Sequence, residues 1–202
     1  MKTAAPAPAA APRIVLADSL LPAGALADGL AVVVASLFVA VCAQVEVRLP
    51  FTPVPISGST LGVLYAGVLL GSRRGAAAVA LYLLEGACGL PVFSGGAAGF
   101  LHLAGPTGGY LAGFPLGAYA AGLLAERGWD RTPAKAFAAM LLGSLPILAL
   151  GLLGLARFLP ARAVAAAGLW PFIPGDLLKA ALSAGLLPLG WKIVGRRPSR
   201  SY

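Results

Sequence analysis

Pro171-Phe172-Ile173-Pro174-Gly175-Asp176-Leu177-Leu178-Lys179-Ala180 is the stretch on which the reading of this chain turns. Two prolines and a glycine break the backbone, and a long apolar run then continues to about Val194. Pro174 suits a first helical position, where its missing N–H costs nothing. Asp176 then falls in the first turn, where a helix N-terminus favours negative charge. Lys179 follows three residues later and shares a helix face with it. In a soluble protein this would be an ordinary surface pair, but the surroundings are too apolar for that. Each charge near a bilayer centre costs about 2.5–3.5 kcal/mol on insertion scales. Such charges are rare and by default mark a functional site. The competing reading is an interfacial salt bridge that only anchors the helix.

The rest of the composition supports a membrane setting. The chain has 202 residues, 59% hydrophobic and 11% charged, whereas a typical soluble domain is about 25% charged. A span takes about 20 residues, so the chain is nearly all span, with no room for a soluble catalytic domain. A net charge of +8 would suggest nucleic acid in a soluble protein. Here the basic residues sit at span ends, which suits an anionic cytoplasmic leaflet, and no nucleic-acid partner is expected. Cys42 and Cys88 lie inside apolar runs and read as packing. No metal-ligand spacing is present and the only histidine is His102. No Gly-Lys-Ser/Thr phosphate loop occurs, so no ATP binding of that kind is expected. The reading therefore assigns no catalytic residue, no metal and no cofactor.

Six apolar segments can be drawn, roughly 26–44, 57–71, 75–88, 107–124, 134–156 and 174–194. The expected fold is an all-α membrane protein, a bundle of six transmembrane helices over residues 26–195. Residues 1–25 read as a disordered tail, and 196–202 as a basic C-terminal tail. With both termini placed in the cytoplasm, eleven basic residues fall inside and three, Arg48, Arg157 and Arg162, fall outside. The positive-inside rule favours that orientation. It puts three unusual features on the outer side. One is the proline-broken loop 46–55. Another is the glycine-rich loop 89–106, too irregular to face lipid. The third is the Asp176/Lys179 turn. Their convergence fits a ligand pocket closed by loops. On the first segment Ala27, Ala31 and Ala35 recur every four residues, which lets another helix approach closely. Packing within the bundle explains the same spacing equally well.

Several blocks resemble a known family. Pro53-Val54-Pro55-Ile56, then Leu83-Leu84-Glu85-Gly86-Ala87-Cys88-Gly89-Leu90-Pro91-Val92-Phe93, are similar to BioY sequences. So are Gly105-Pro106-Thr107-Gly108-Gly109-Tyr110-Leu111-Ala112-Gly113-Phe114 and the block that opens this section. BioY proteins are the biotin-specific S components of energy-coupling-factor (ECF) vitamin transporters. The resemblance implies a multi-pass protein of the plasma membrane that binds biotin from the outside. It also implies a membrane coupling subunit and ABC-type ATPase subunits as partners. Asp176 and Lys179 match the family's Asp-x-x-Lys pair of the biotin site, Tyr110 the tyrosine of the glycine block, and Gln44 a glutamine closing the first helix. Ser59 stands where the family commonly has Gln, and Gly95 where some members have Asn, so the groups that take over those contacts are left open. The alanine repeat resembles the face by which S components dock on the coupling subunit.

For biotin, the ureido ring offers two N–H donors and one carbonyl acceptor, which Asp176 and Lys179 complement. Phe93, Phe100, Tyr110 and Phe172 are candidates to pack on the rings and tail, and Glu85 to touch ligand or pair with Arg48. Two other readings compete. One is an S component for a different vitamin. The other is a membrane-embedded enzyme using Glu85, His102, Asp176 and Lys179, against which no nucleophile–base spacing or metal motif appears. His102 reads as a loop residue.

Overall fold

The structure is a computed structural model and describes residues 15–195. It is mostly helical. Six α-helices of twelve or more residues fall on the six apolar segments: α1 (Ala25–Gln44), α2 (Ser59–Leu70), α3 (Ser72–Ala87), α5 (Gly108–Glu126), α6 (Pro133–Leu155) and α8 (Phe172–Gly195). Two short helices stand in connections, α4 (Phe100–Leu103) and α7 (Ala161–Gly168). Three stretches are long and apolar enough to cross a membrane by length and composition: Ala25–Gln44, Pro133–Leu155 and Ala161–Val194. The proline-broken loop carries a feature that an all-α reading omits. Two-residue strands β1 (Glu46–Val47) and β2 (Ile56–Ser57) pair antiparallel, with Glu46 opposite Ser57.

α5 is central and packs on α2, α3 and α6; α8 packs on α6, and α1 on α2 and α3. Small residues permit this. α2 and α3 are joined by Gly71 alone, at φ +87°, a conformation that costs glycine little and other residues much. Ser72-Arg73-Arg74, which fall between the second and third apolar segments, therefore open α3. At Gly67 a Cβ would run into the Ala118 carbonyl of α5, so the two backbones meet with no side chain between them.

Two sequence expectations need correction. Residues 15–24, assigned to the disordered tail, are folded. Leu16–Ser19 form a 3-10 turn, Val15 is buried, and Arg74 pairs with Asp18 and, at 2.7 Å, with Asp28. Val15 and Ala17 pack on Leu70 and Ala78, and this apolar anchor was hidden next to alanine- and proline-rich sequence. Residues 1–14 and 196–202, the rest of both expected tails, lie outside the described residues. The second correction concerns α8. It begins at Phe172, so Pro174 is its third residue and Asp176 lies beyond the first turn. Pro174 still falls among the four residues whose N–H groups have no helical acceptor, but Asp176 is not there to complement the helix terminus.

Candidate functional site

The loops between α1 and α2, between α3 and α5, and before α8 meet at one end of the bundle around a cavity of about 470 Å³. That volume lies in the range of small-molecule sites, about 300–1,000 Å³. Its floor and walls are largely apolar or aromatic: Phe93, Leu111, Phe114, Ile147, Leu148 and Phe172. Polar groups enter from the hairpin and α2 (Ser57, Ser59, Thr60) and from α8 (Asp176, Lys179).

Lys179 is anchored across the fold. Its Nζ donates to the Ser57 carbonyl at 2.9 Å and to Thr60 Oγ1 at 2.6 Å. Asp176 Oδ1 lies 3.6 Å from that Nζ, and the two side chains are 15% and 16% exposed. Asp176 accepts no hydrogen bond among the described residues, although it lines the cavity. A carboxylate has about four acceptor positions. These are therefore free to take N–H donors from whatever occupies the cavity.

Tyr110 is fixed by its hydroxyl, which donates to the Gly168 carbonyl at 2.7 Å, and by stacking on Phe172 at 5.8 Å between centroids. Gly151 and Gly168 leave the room its ring fills, since a Cβ at either would overlap it. Phe93 is fully buried, edge-on to Tyr82 at 5.6 Å and stacked on His102 at 5.3 Å. Ser59 Oγ accepts from Ser57 Oγ at 2.8 Å and lies 3.4 Å from Ser94 Oγ. Thr52 Oγ1 donates to the Ala167 carbonyl at 2.8 Å, which pins the hairpin loop to α7.

A model of the BioY family matches residues 17–196. The chain belongs to the BioY family. A protein of Rhizobium etli named biotin transporter BioY is 42% identical over 158 residues, covering 74% of this chain and 84% of that one. The biotin transporter BioY of Thermotoga maritima is 40% identical over 139 residues, covering 68% and 81%. A crystal structure described as the S-component for biotin from an ECF-type ABC transporter superposes with a TM-score of 0.72 at 25% identity, over 83% of this chain and 92% of that one.

In this BioY chain the cavity gathers Asp176, Lys179, Tyr110, Ser59 and Phe93 from the expected site residues. Three others stand apart from its wall. Gln44 Nε2 donates to the Ala40 carbonyl at 3.1 Å and reaches the Val92 and Phe93 carbonyls at 3.4 Å, so it holds the loop that carries Phe93. Glu85 accepts from Ser36 Oγ at 3.0 Å at the α1–α3 contact. It does not pair with Arg48, which instead binds Glu46 at 2.6 Å. Gly95 sits at φ +66°, and a Cβ there would run into Glu46 and Arg48. The Glu46–Arg48 pair therefore leans on a glycine that no larger residue could replace without displacing it. Phe100 is 73% exposed and lies outside the wall. Thr60, Thr107, Ser144 and His102 are on the wall without having been singled out as contacts. Thr60 meets Lys179 from a distant segment, whereas Thr107 and His102 partner each other and Ser144 bonds the Leu141 carbonyl, and only the Gly-Pro-Thr block hinted at one of them.

Ala31 and Ala35 pack on the cluster of Val15, Ala17, Leu70 and Ala78, and Ala27 is half-buried. Their small size is used at least partly inside the chain.

Proposed function

We propose that this chain is the biotin-capturing S component of an ECF-type vitamin uptake transporter, taking biotin from the outer side of the plasma membrane. The observation that carries this reading is Asp176. A mostly buried carboxylate opens into a largely apolar cavity, 3.6 Å from a lysine and with no hydrogen bond among the described residues. The ureido N–H groups fill those positions, and Lys179 donates to the ureido carbonyl while still held by Ser57 and Thr60. Charge-assisted bonds in a dry site are the strong kind. Tyr110, Phe172 and Phe93 pack on the rings. Ser59 and the neighbouring Ser57 and Ser94 stand in for the family glutamine, while Gln44 and Gly95 shape the loops around the site. Glu85 serves the α1–α3 contact.

The chain crosses the membrane six times with both termini in the cytoplasm. A membrane coupling subunit and ABC-type ATPases supply the energy that this chain has no motif to harvest. The protein is a binder rather than an enzyme, with biotin as substrate and no cofactor. Ala27, Ala31 and Ala35 contribute to the partner face only as far as their intrachain packing leaves them open.

Equilibrium binding to the purified chain tests this. Biotin is expected to bind saturably without ATP and to outcompete other vitamins. Tight binding only in the presence of ATP and partner subunits, or a better fit for another vitamin, would overturn it.

A further inference from the structure

Three basic side chains border the cavity: Lys179, Arg48 and His102. Two are already engaged. Lys179 is held by Ser57, Thr60 and Asp176. Arg48 is paired with Glu46, and its side chain is 75% exposed. His102 is different. Its ring is stacked flat on the buried Phe93, 20° from parallel. Its Nε2 lies 3.4 Å from Thr107 Oγ1, and its Nδ1 makes no hydrogen bond among the described residues. The cavity thus presents an imidazole and a hydroxyl side by side, with hydrogen-bonding capacity to spare.

We propose that His102 and Thr107 form the subsite for the ligand's carboxylate, and that His102 takes up a proton from solvent as the carboxylate arrives. This rests on the biotin reading. Biotin has two polar ends, and the Asp176/Lys179 pair accounts for the ureido end. The valerate carboxylate needs a donor or a cation elsewhere on the same wall. Thr107 supplies an O–H. A protonated imidazole supplies an N–H and a charge, and the Phe93 face behind it holds the ring in place.

The surrounding charges set the sign. The β1–β2 hairpin brings Glu46 and Arg48, and α8 brings Asp176 and Lys179. α5 brings Tyr110, and α3 brings Tyr82 behind Phe93. Burial holds the His102 pKa below the ordinary histidine range, with Glu46 partly opposing. The empty site therefore keeps the imidazole neutral at neutral pH. A carboxylate beside it favours the charged form, so the occupied site has the higher pKa. Affinity for an anionic ligand then rises as pH falls through the window between those two values. Each unit of that upward shift makes binding about tenfold tighter at the acid end.

The test compares biotin with its neutral primary amide, titrated against the purified full-length chain between about pH 5 and about pH 8, where histidine is the side chain that normally titrates. An ordinary carboxylate remains ionised across most of that window. In the wild-type protein biotin should bind about tenfold tighter at the acid end, while the amide stays flat. His102→Gln keeps a hydrogen-bonding side chain and should flatten the biotin profile. Arg48→Gln should keep the slope. Equal pH profiles for acid and amide in the wild-type chain overturn the proposal, and that comparison needs no variant to fold. So does a slope that survives His102→Gln or disappears in Arg48→Gln. Absence of biotin binding at every pH overturns both this proposal and the biotin reading, whereas a flat profile with biotin still bound overturns only the role given to His102.

Discussion

Asp176 and Lys179 differ in what else they hold, and that separates the effects of removing them. Asp176 faces only Lys179, at 3.6 Å, so Asp176→Asn should lower stability only through the loss of that counter-charge, which the Ser57 and Thr60 contacts of Lys179 partly offset. The amide adds an N–H that meets the ligand's own donors. Losing one member of a buried charged contact costs about 3–5 kcal/mol, which is roughly two to three orders of magnitude in affinity. Lys179 also ties α8 to the hairpin and to α2 through Ser57 and Thr60. Lys179→Ala should therefore lose binding to a similar extent and also lower the melting temperature. Calorimetric titration with biotin, alongside thermal unfolding in detergent, reads both. Wild-type affinity in the two variants would reduce the pair to a helix anchor. The residue scale also shows what sequence could and could not reveal about the site. Two charges in an apolar run declare themselves, because the medium makes them costly. His102 did not, because its meaning comes from Phe93 and Thr107 folding around it.

At the scale of elements, the six long helices were legible as apolar runs bounded by proline, glycine and charged residues, although only three stretches are long and apolar enough to cross a membrane by length and composition. The short helices α4 and α7 and the two-residue ladder were not. Each is shorter than a hydrophobic period can reveal, and each exists because neighbouring loops pin it, as Thr52 pins α7. The alanine stripe on α1 was legible as a close-approach face, but not as to which partner it approaches. With Ala31 and Ala35 packed on Val15, Ala17, Leu70 and Ala78, Ala35→Trp should overfill that contact. Overpacking typically costs about 1–3 kcal/mol, and thermal unfolding of the purified variant should show it. Leu30→Ala, on the exposed side of α1, should not. An Ala35→Trp protein with wild-type melting and biotin binding but no uptake would give the stripe to the coupling subunit instead. A second contact between elements lies at the opposite end of the bundle. Trp191 Nε1 of α8 donates to Asp130 Oδ2 at 2.5 Å, and Arg131 lies over the same indole. Burial raises the Asp130 pKa, with the Trp191 bond opposing. The folded state therefore holds that proton more tightly than the unfolded chain does. Its contribution is most favourable below the ordinary carboxylate pKa and is lost as pH rises through the raised value. Asp130→Asn keeps an acceptor for Trp191 and removes the titration. The melting temperature of the variant minus that of the wild type should climb across that acid window and level off above it. Parallel curves would mean that Asp130 ionises in the folded protein as it does in the unfolded chain.

For the whole molecule, the distribution of charge gives the physical reason for which end of the bundle faces out. The end carrying the cavity has Arg48, Arg157 and Arg162, besides the paired Lys179. The opposite end has Arg73, Arg74, Arg127, Arg131, Lys135 and Lys192 among the described residues. An anionic cytoplasmic leaflet attracts the second set, so the cavity should open outward, where a captured vitamin comes from. The chain carries its own reporter. Cys88 caps α3 next to the glycine-rich loop and is exposed, on the cavity end. Cys42 is only partly accessible, packed against Gly62. A membrane-impermeant maleimide added to intact cells should label Cys88, and Cys88→Ser should abolish most of that labelling. In the Cys88→Ser background, Arg127→Cys places a thiol at an exposed position on the other end. It should label only after the membrane is permeabilised. Saturating biotin should slow labelling of Cys88 if the 88–107 loop tightens over the occupied cavity, but the sidedness does not depend on that. Labelling of Arg127→Cys in intact cells, with Cys88 protected until permeabilisation, would turn the bundle over and place the cavity on the cytoplasmic side. Biotin capture from outside would then be untenable for this chain, however well the pocket fits.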